Sequence, residues 1–101
     1  MSIAEISLPQ AAPSRGVVED FLLGAIASIC KFDRSEVTAG TCLADIGLDS
    51  LNATALAVHI EAEYGCEVSP DEFVEMLQAV HAEHLVQQIH GIVARHALAT
   101  T

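Results

Sequence analysis

An aspartate and a serine stand side by side where a predicted helix begins. They lie in residues 45–56, DIGLDSLNATAL, in which Gly47 precedes Asp49 and Ser50. The side chain of either residue can cap the helix, because its oxygen can accept a hydrogen bond from a free backbone amide. Alternatively, the Ser50 hydroxyl is displayed there so that another enzyme can modify it. A phosphate on that hydroxyl would be stabilised, since the amides and the dipole of a helix N-terminus favour negative charge.

The residue spacing gives less support to other chemistries. A hydrolase nucleophile of the common elbow type needs glycine two residues before and two after its serine, and these positions hold Leu48 and Asn52. The five histidines, including His81 and His84 on one predicted helix, complete no recognisable zinc pattern. A glycine-rich phosphate loop is absent, and residues 33–44 lack the ligand spacing of a calcium loop. The sequence therefore predicts neither a metal site nor a catalytic centre.

The composition predicts one small helical domain that works with protein partners. The chain has 101 residues, of which 51% are hydrophobic and 4% aromatic, so alanine and aliphatic side chains must form the core. Alanine favours helix, and strand-like alternation is absent. The formal net charge of −10 argues against nucleic acid or an anionic membrane surface as a partner, because both attract basic patches. No uncharged apolar run is long enough to span a membrane.

The cysteines and the N-terminal segment favour a cytoplasmic location, and we expect the protein to be a monomer. Cys30, Cys42 and Cys66 are odd in number and not closely paired, which indicates free thiols in a reducing compartment. None has an obvious cationic neighbour that would activate its thiol, so we expect structural roles. Residues 1–15 contain two prolines and have the features of neither a signal peptide nor a sustained helix. We interpret them as a flexible leader.

Three long amphipathic helices are expected after the leader. Apolar residues recur at spacings of three and four over residues 16–31, 50–64 and 80–97. The inner stripes are Val18, Phe21, Leu22, Ala25 and Ile29; Ala53, Leu56, Ala57, Ile60 and Tyr64; and Ala82, Leu85, Val86, Ile89, Val93 and Ala97.

A short helix and a long connection complete the predicted architecture. The short helix spans residues 70–78, because Ser69 and Glu72 form a capping box around Pro70, which is favoured at the first helical position. Residues 32–49 form a long loop whose scattered apolar residues predict that it packs on the bundle. The expected fold is therefore all-α: a four-helix bundle with a long loop between helices 1 and 2 and a short helix 3.

This order of elements, together with two motifs, resembles the acyl carrier protein family. Residues 43–51, LADIGLDSL, match the family pattern L-x-D-x-G-x-D-S-L. Residues 60–65, IEAEYG, are similar to the family's helix end L-E-x-x-F/Y-G. The match covers about residues 17–96, so we expect a carrier domain at 16–97 and a tail at 98–101.

The resemblance implies that Ser50 receives 4′-phosphopantetheine from coenzyme A through a Mg²⁺-dependent phosphopantetheinyl transferase. The thiol of that arm would carry an acyl group as a thioester between acyl-transferring, condensing or ligase enzymes of fatty-acid, lipid or polyketide-type biosynthesis. In the family, the residue matching Asp49 lies beside the transferase's metal, and the residue matching Leu51 makes an apolar contact. Local capping and ordinary packing are the simpler explanations for these two side chains. The carrier itself would catalyse nothing, because tethering only raises the effective concentration of its cargo.

The second predicted helix departs from the pattern of fatty-acid-synthase carriers. Those carriers have an acid two residues after the serine and another three residues further on, where this chain has Asn52 and Ala55. An apolar row also lies opposite the inner stripe: Leu51, Ala55, Val58 and Ala62. Either the leader or the loop covers this row, or partner enzymes bind it. We favour a specialised, discrete carrier whose partner surface comprises Leu51, Asn52, Ala55, Val58, Glu61 and Glu63.

Two alternatives stay open at the level of sequence. Asp49 favours acyl over peptidyl carriers, in which histidine is frequent before the serine, but discrete aminoacyl or peptidyl carriers remain compatible with it. The chain could also be an unmodified helical module that binds another protein.

Overall fold

The computed structural model describes residues 13–99, and this part of the chain folds as the all-α bundle that the sequence predicts. Its helices are α1 (Arg15–Cys30), α2 (Ser50–Tyr64), α3 (Pro70–Leu77) and α4 (Ala82–Ala99). Helix α1 packs against both α2 and α4, and α3 packs against α2. Within residues 13–99, no helix has the length and hydrophobicity that a membrane crossing requires.

Aliphatic side chains on one face of each long helix form the core. Burying one such side chain contributes about 1.5–3 kcal/mol, so a few positions per helix are enough to fix its orientation. The largest fully buried side chains are Val18, Leu22 and Ile26 on α1, Leu56 and Ile60 on α2, Met76 on α3, and Leu85, Val86 and Ile89 on α4, with Val37 from the loop. These side chains include the central positions of the predicted stripes.

Helices α1 and α2 run antiparallel, so the end of one lies beside the start of the other. The rings of Phe21 and Tyr64 meet edge to face with centroids 5.5 Å apart, which places the first half of α1 beside the end of α2. At the opposite end, burial raises the pKa of the Cys30 thiol, and the nearby Asp49 carboxylate raises that pKa further. The first residue of α2 therefore lies at the same end of the bundle as the last turn of α1.

The long connection is ordered by two short 3-10 turns, Arg34–Glu36 and Leu43–Ile46. Val37 and Leu43 are buried in the core, which confirms that the loop packs on the bundle. Phe32 remains exposed, so not every apolar residue of the loop takes part.

The same loop also caps α4, which explains why that helix begins two residues later than predicted. The Leu43 N–H donates to the Val80 carbonyl at 2.9 Å, and the Ala82 N–H donates to the Thr41 carbonyl at 2.9 Å. The Glu83 N–H is bonded to the loop as well. Because Val80 pairs with the loop, it cannot belong to the helix.

The outer boundaries of the bundle differ slightly from the prediction. Helix α1 begins at Arg15, inside the predicted leader, because the Ser14 hydroxyl accepts a hydrogen bond from the Val17 N–H at 3.2 Å. Helix α4 continues to Ala99, inside the predicted tail, since neither glycine nor proline follows Ala97 to end it. The rest of the leader and of the tail lies outside the described residues.

One carboxylate joins α3 to α4. The Ser69 hydroxyl accepts from the Glu72 N–H at 3.1 Å, and the Glu72 carboxylate accepts from the Ser69 N–H at 2.8 Å, so the predicted capping box around Pro70 is confirmed. The other Glu72 carboxylate oxygen lies 2.9 Å from the Arg95 guanidinium. The Gln88 side-chain amide donates to the Glu72 carbonyl at 2.8 Å. Hydrogen bonding from the Ser69 backbone, and then Arg95, lowers the pKa of Glu72 against the opposing effect of burial.

Glu72→Gln should lower the free energy of unfolding at neutral pH by about 0.5–1 kcal/mol, because the amide keeps the shape of the side chain but loses its charge. The folded-state pKa of Glu72 lies below its unfolded-state value. Its contribution is therefore complete above the unfolded-state pKa and is lost as the pH falls through the folded-state pKa. In urea unfolding, the difference between wild type and variant should shrink in acid. Glu75→Gln, on the exposed side of the same helix, is the control and should change little. A difference for Glu72→Gln that is independent of pH would contradict the proposed ion pair.

Candidate functional site

Ser50 is the first residue of α2 and is exposed at the end of the bundle. Among the described residues, no hydrogen bond engages its hydroxyl. The backbone amides of Ser50 and Leu51 are also without partners there, as is usual in the first turn of a helix. An accessible hydroxyl therefore stands beside two outward-pointing amides, where the helix dipole is positive. This geometry fits a phosphate ester on Ser50.

Asp49, rather than Ser50, caps the helix. One oxygen of its carboxylate accepts a hydrogen bond from the Asn52 N–H at 2.8 Å, and its carbonyl accepts from the Ala53 N–H at 2.8 Å. Local capping, the simpler explanation of Asp49, is thus confirmed. However, capping uses only one carboxylate oxygen of an exposed side chain, so the other oxygen can still bind a metal held by a partner enzyme.

The corner before Ser50 is held by the carbonyl of Gly47. Gly47 has a φ of 79°, a left-handed conformation that glycine adopts without strain, and it ends the 3-10 turn before the site. Its carbonyl accepts two hydrogen bonds, from the Asp49 N–H at 2.9 Å and from the Asn52 side-chain amide at 2.8 Å. Asn52 is predicted to lie on the partner surface, but no sequence signal indicates this contact, because it joins the helix to a loop whose path depends on the whole fold.

The apolar row of α2 is exposed along most of its length in the part of the chain that the structure describes. Leu51 is 77% exposed and Val58 is 58% exposed, while Ala62 is exposed and Ala55 is half-buried. The long loop therefore does not cover the row, which removes one of the explanations for its composition. Exposed apolar residues that adjoin one another are typical of a surface that binds another protein.

The two glutamates of the predicted partner surface differ in their surroundings. Glu63 is exposed. Glu61 is half-buried, and its carboxylate accepts a hydrogen bond from the Val68 N–H at 2.8 Å, which fixes the connection between α2 and α3. Glu61 thus has a structural role that the sequence did not reveal. It lies in a cleft of about 340 Å³ between these helices, whose lining includes Val58 and Phe73.

The thiols and imidazoles lie apart from this site or are poorly suited to chemistry. All three cysteines are free, and burial is the main cause of the raised pKa of both Cys30 and Cys66, so their thiols are less reactive than usual. The rings of His81 and His84 touch, with centroids 5.6 Å apart. Within residues 13–99, no three histidine, cysteine or acidic side chains come together to hold a metal ion.

Asp49→Ala should lower the free energy of unfolding by about 1 kcal/mol, because it removes the acceptor for the Asn52 N–H. Asp49→Asn should lower it by only a few tenths of a kcal/mol, because asparagine caps helices about as well as aspartate. Urea unfolding of both variants tests this difference. Asp45→Ala serves as the control, because Asp45 is an exposed acid whose carboxylate makes no hydrogen bond to the described residues. Equal losses in the two Asp49 variants would mean that charge, not capping, stabilises this end of α2.

Comparison with known proteins agrees with the geometry of the site. The family model described as PP-binding, phosphopantetheine attachment site, matches residues 20–82, a range that includes the Ser50 corner. The non-reducing polyketide synthase sor2 of Hypocrea jecorina (strain QM6a) is 31% identical over 78 residues, which are 74% of this chain and 3% of that protein. The chain thus corresponds to a small part of that relative. Members of the matched family are carrier domains with covalently attached 4′-phosphopantetheine and are not themselves catalytic. The chain belongs to this phosphopantetheine-binding family of acyl carrier proteins.

Proposed function

We propose that Ser50 is the attachment site of the 4′-phosphopantetheine arm, and that the chain carries acyl groups as thioesters on this arm for polyketide-type condensing enzymes. One observation carries the assignment of Ser50: its hydroxyl is exposed on the first residue of α2, makes no hydrogen bond to residues 13–99, and lies inside the region that matches the family.

The attachment reaction needs little from the carrier beyond this exposed hydroxyl. The Ser50 oxygen forms a bond to the phosphorus of coenzyme A that bears the pantetheine, and the bond from that phosphorus to the adenosine bisphosphate breaks. The hydroxyl proton leaves to a base on the transferase. The free carboxylate oxygen of Asp49 would lie beside the metal of the transferase, and the amides of Ser50 and Leu51 would stabilise the new phosphodiester.

The loaded arm acts by tethering. A thioester held on a chain of fixed length reaches each partner's active site at an effective concentration that free substrate does not attain. We expect a monomer in the reducing cytoplasm, where the three free thiols stay reduced.

Ser50→Ala should abolish the mass increase that accompanies loading from coenzyme A. The helical circular dichroism signal should remain, because the hydroxyl makes no hydrogen bond to the described residues. Intact-protein mass spectrometry after incubation with a phosphopantetheinyl transferase, coenzyme A and Mg²⁺ provides the measurement. Ser69→Ala is the matched control and should be loaded fully, since Ser69 only caps α3. Loading that persists in Ser50→Ala would refute the assignment.

The exposed apolar row of α2 favours partner enzymes that bind through hydrophobic contacts. Leu51 and Val58 project from α2 beside Asn52 and Ala55, the two positions at which fatty-acid-synthase carriers are acidic, so this surface offers little charge to a basic partner. The similarity to a part of a polyketide synthase points to the same class of partner. Apolar contacts of this kind mainly set residence time, whereas charges at the rim steer the encounter and exclude wrong partners.

Val58→Glu should therefore weaken the interaction with polyketide-type enzymes and strengthen the interaction with fatty-acid enzymes. We expect malonyl transfer from a polyketide-type acyltransferase to fall about tenfold, because the new carboxylate must lose its water in an apolar contact. Transfer from a housekeeping fatty-acid acyltransferase should rise, and the gain should fade with added salt. Val17→Glu is the matched control, because Val17 is 56% exposed on α1 and the substitution adds the same charge. Equal effects of the two substitutions would show that net charge, not this row, governs partner choice.

A further inference from the structure

The side chain of Asn52 joins the loop before Ser50 to the helix that follows it. Its amide nitrogen donates to the Gly47 carbonyl at 2.8 Å, while its backbone N–H donates to the Asp49 carboxylate at 2.8 Å. The Asp49 N–H also donates to the Gly47 carbonyl, at 2.9 Å. These bonds close a ring around Ser50 without using the Ser50 hydroxyl.

Only a side chain that donates can complete this ring. The Gly47 carbonyl is an acceptor, so asparagine must present its NH₂ group to it. An aspartate at position 52 would instead place a carboxylate against the carbonyl oxygen and close to Asp49. The acid that fatty-acid-synthase carriers have at this position therefore cannot make the same contact while it is ionised.

The ring joins the loop to α2 on both sides of Ser50. Gly47 has a left-handed backbone and no side chain, so it adds no side-chain packing to the corner between the 3-10 turn and α2. The half-buried Leu48 packs on the core and its N–H donates to the Leu43 carbonyl at 3.0 Å, so the ring is one of the contacts that hold this corner. The apolar anchors of α2 begin only at Ala53, on the opposite face of the helix from the exposed row.

We propose that Asn52 is a positioning residue for the loading reaction, which holds the Gly47–Asp49 corner so that the Ser50 hydroxyl meets the transferase in a productive orientation. The proposal rests on the proposed function of Ser50. Asn52 acts through the backbone and does not touch the reacting atoms. Its loss should therefore lower kcat for loading, with little change in the KM for the carrier.

The structure provides a matched control at Gln88. Its side-chain amide also donates to a backbone carbonyl of another element, that of Glu72, at 2.8 Å, and it is half-buried like Asn52. Asn52→Asp and Gln88→Glu thus make the same chemical change to the same kind of hydrogen bond. Asn52→Asp makes this change beside Ser50, whereas Gln88→Glu makes it where α4 meets α3. Asn52→Ala removes the donor without adding charge.

The experiment measures loading of each variant by a phosphopantetheinyl transferase with coenzyme A and Mg²⁺, together with hydrogen exchange of the backbone amides. We expect both Asn52 variants to lower kcat about tenfold, because small misplacements of a reacting group are costly in rate. The Asp49 and Asn52 amides should exchange about tenfold faster in both variants. Gln88→Glu should leave kcat and these two exchange rates unchanged. Its unfolding midpoint should nevertheless fall by about as much as the midpoints of the Asn52 variants.

Three results would overturn the proposal. Wild-type kcat in Asn52→Ala would show that the bond does not position Ser50. A loss confined to Asn52→Asp would assign the effect to charge. An equal loss of kcat in Gln88→Glu would assign it to general stability. Loading of Ser50→Ala would instead refute the proposed function itself, so the two failures are distinguishable.

Discussion

The burial of one stripe of α2 determines where everything else on that helix lies. Ala53, Leu56, Ala57 and Ile60 recur at the helical period and are all buried, which fixes the rotation of α2. Truncating a leucine such as Leu56 to alanine costs about 2–5 kcal/mol in a packed core, so rotation about the helix axis is strongly opposed. Ser50, Leu51 and Val58 are exposed as a consequence, although none of them contributes to the core. Display of the hydroxyl is therefore a result of packing elsewhere on the same helix.

Features encoded by neighbouring residues could be predicted from the sequence. The capping box at Ser69, the helix start at Ser50 and the apolar stripes all depend on residues within one or two turns of each other, so their patterns are visible in the chain itself. The start of α4 could not be predicted in this way. Val80 falls inside the predicted range of that helix, but its carbonyl accepts a hydrogen bond from the N–H of Leu43, which lies far away in sequence. Which part of a loop hydrogen-bonds to the start of a helix depends on the whole fold and leaves no pattern among neighbouring residues.

The roles of the acidic side chains likewise could not be predicted fully from the sequence. With a net charge of −10, the sequence suggests that acidic side chains form a surface for basic partners. The structure shows that several of them bind the chain's own backbone instead: Asp49, Glu61 and Glu72 each accept a hydrogen bond from a backbone amide near a helix end. A helix has four unsatisfied amides at its start, and Asp49 and Glu72 each satisfy one of them, whereas Glu61 bonds an amide of the connection before α3. The sequence alone therefore does not separate acids that stabilise the fold from acids that only face solvent.

Stability and recognition consequently reside on opposite faces of α2. The inner face is held by hydrophobic burial, whereas the serine corner is held by hydrogen bonds of exposed groups, each of which contributes about 0.5–1.5 kcal/mol. A substitution at Ala55 or Val58 changes what a partner meets without removing a large core side chain or a hydrogen bond of the serine corner. A single four-helix bundle can thus acquire different partner surfaces while Ser50 stays in place. This separation is possible because the chain supplies no catalytic groups of its own, so the only geometric demand on it is the placement of one hydroxyl.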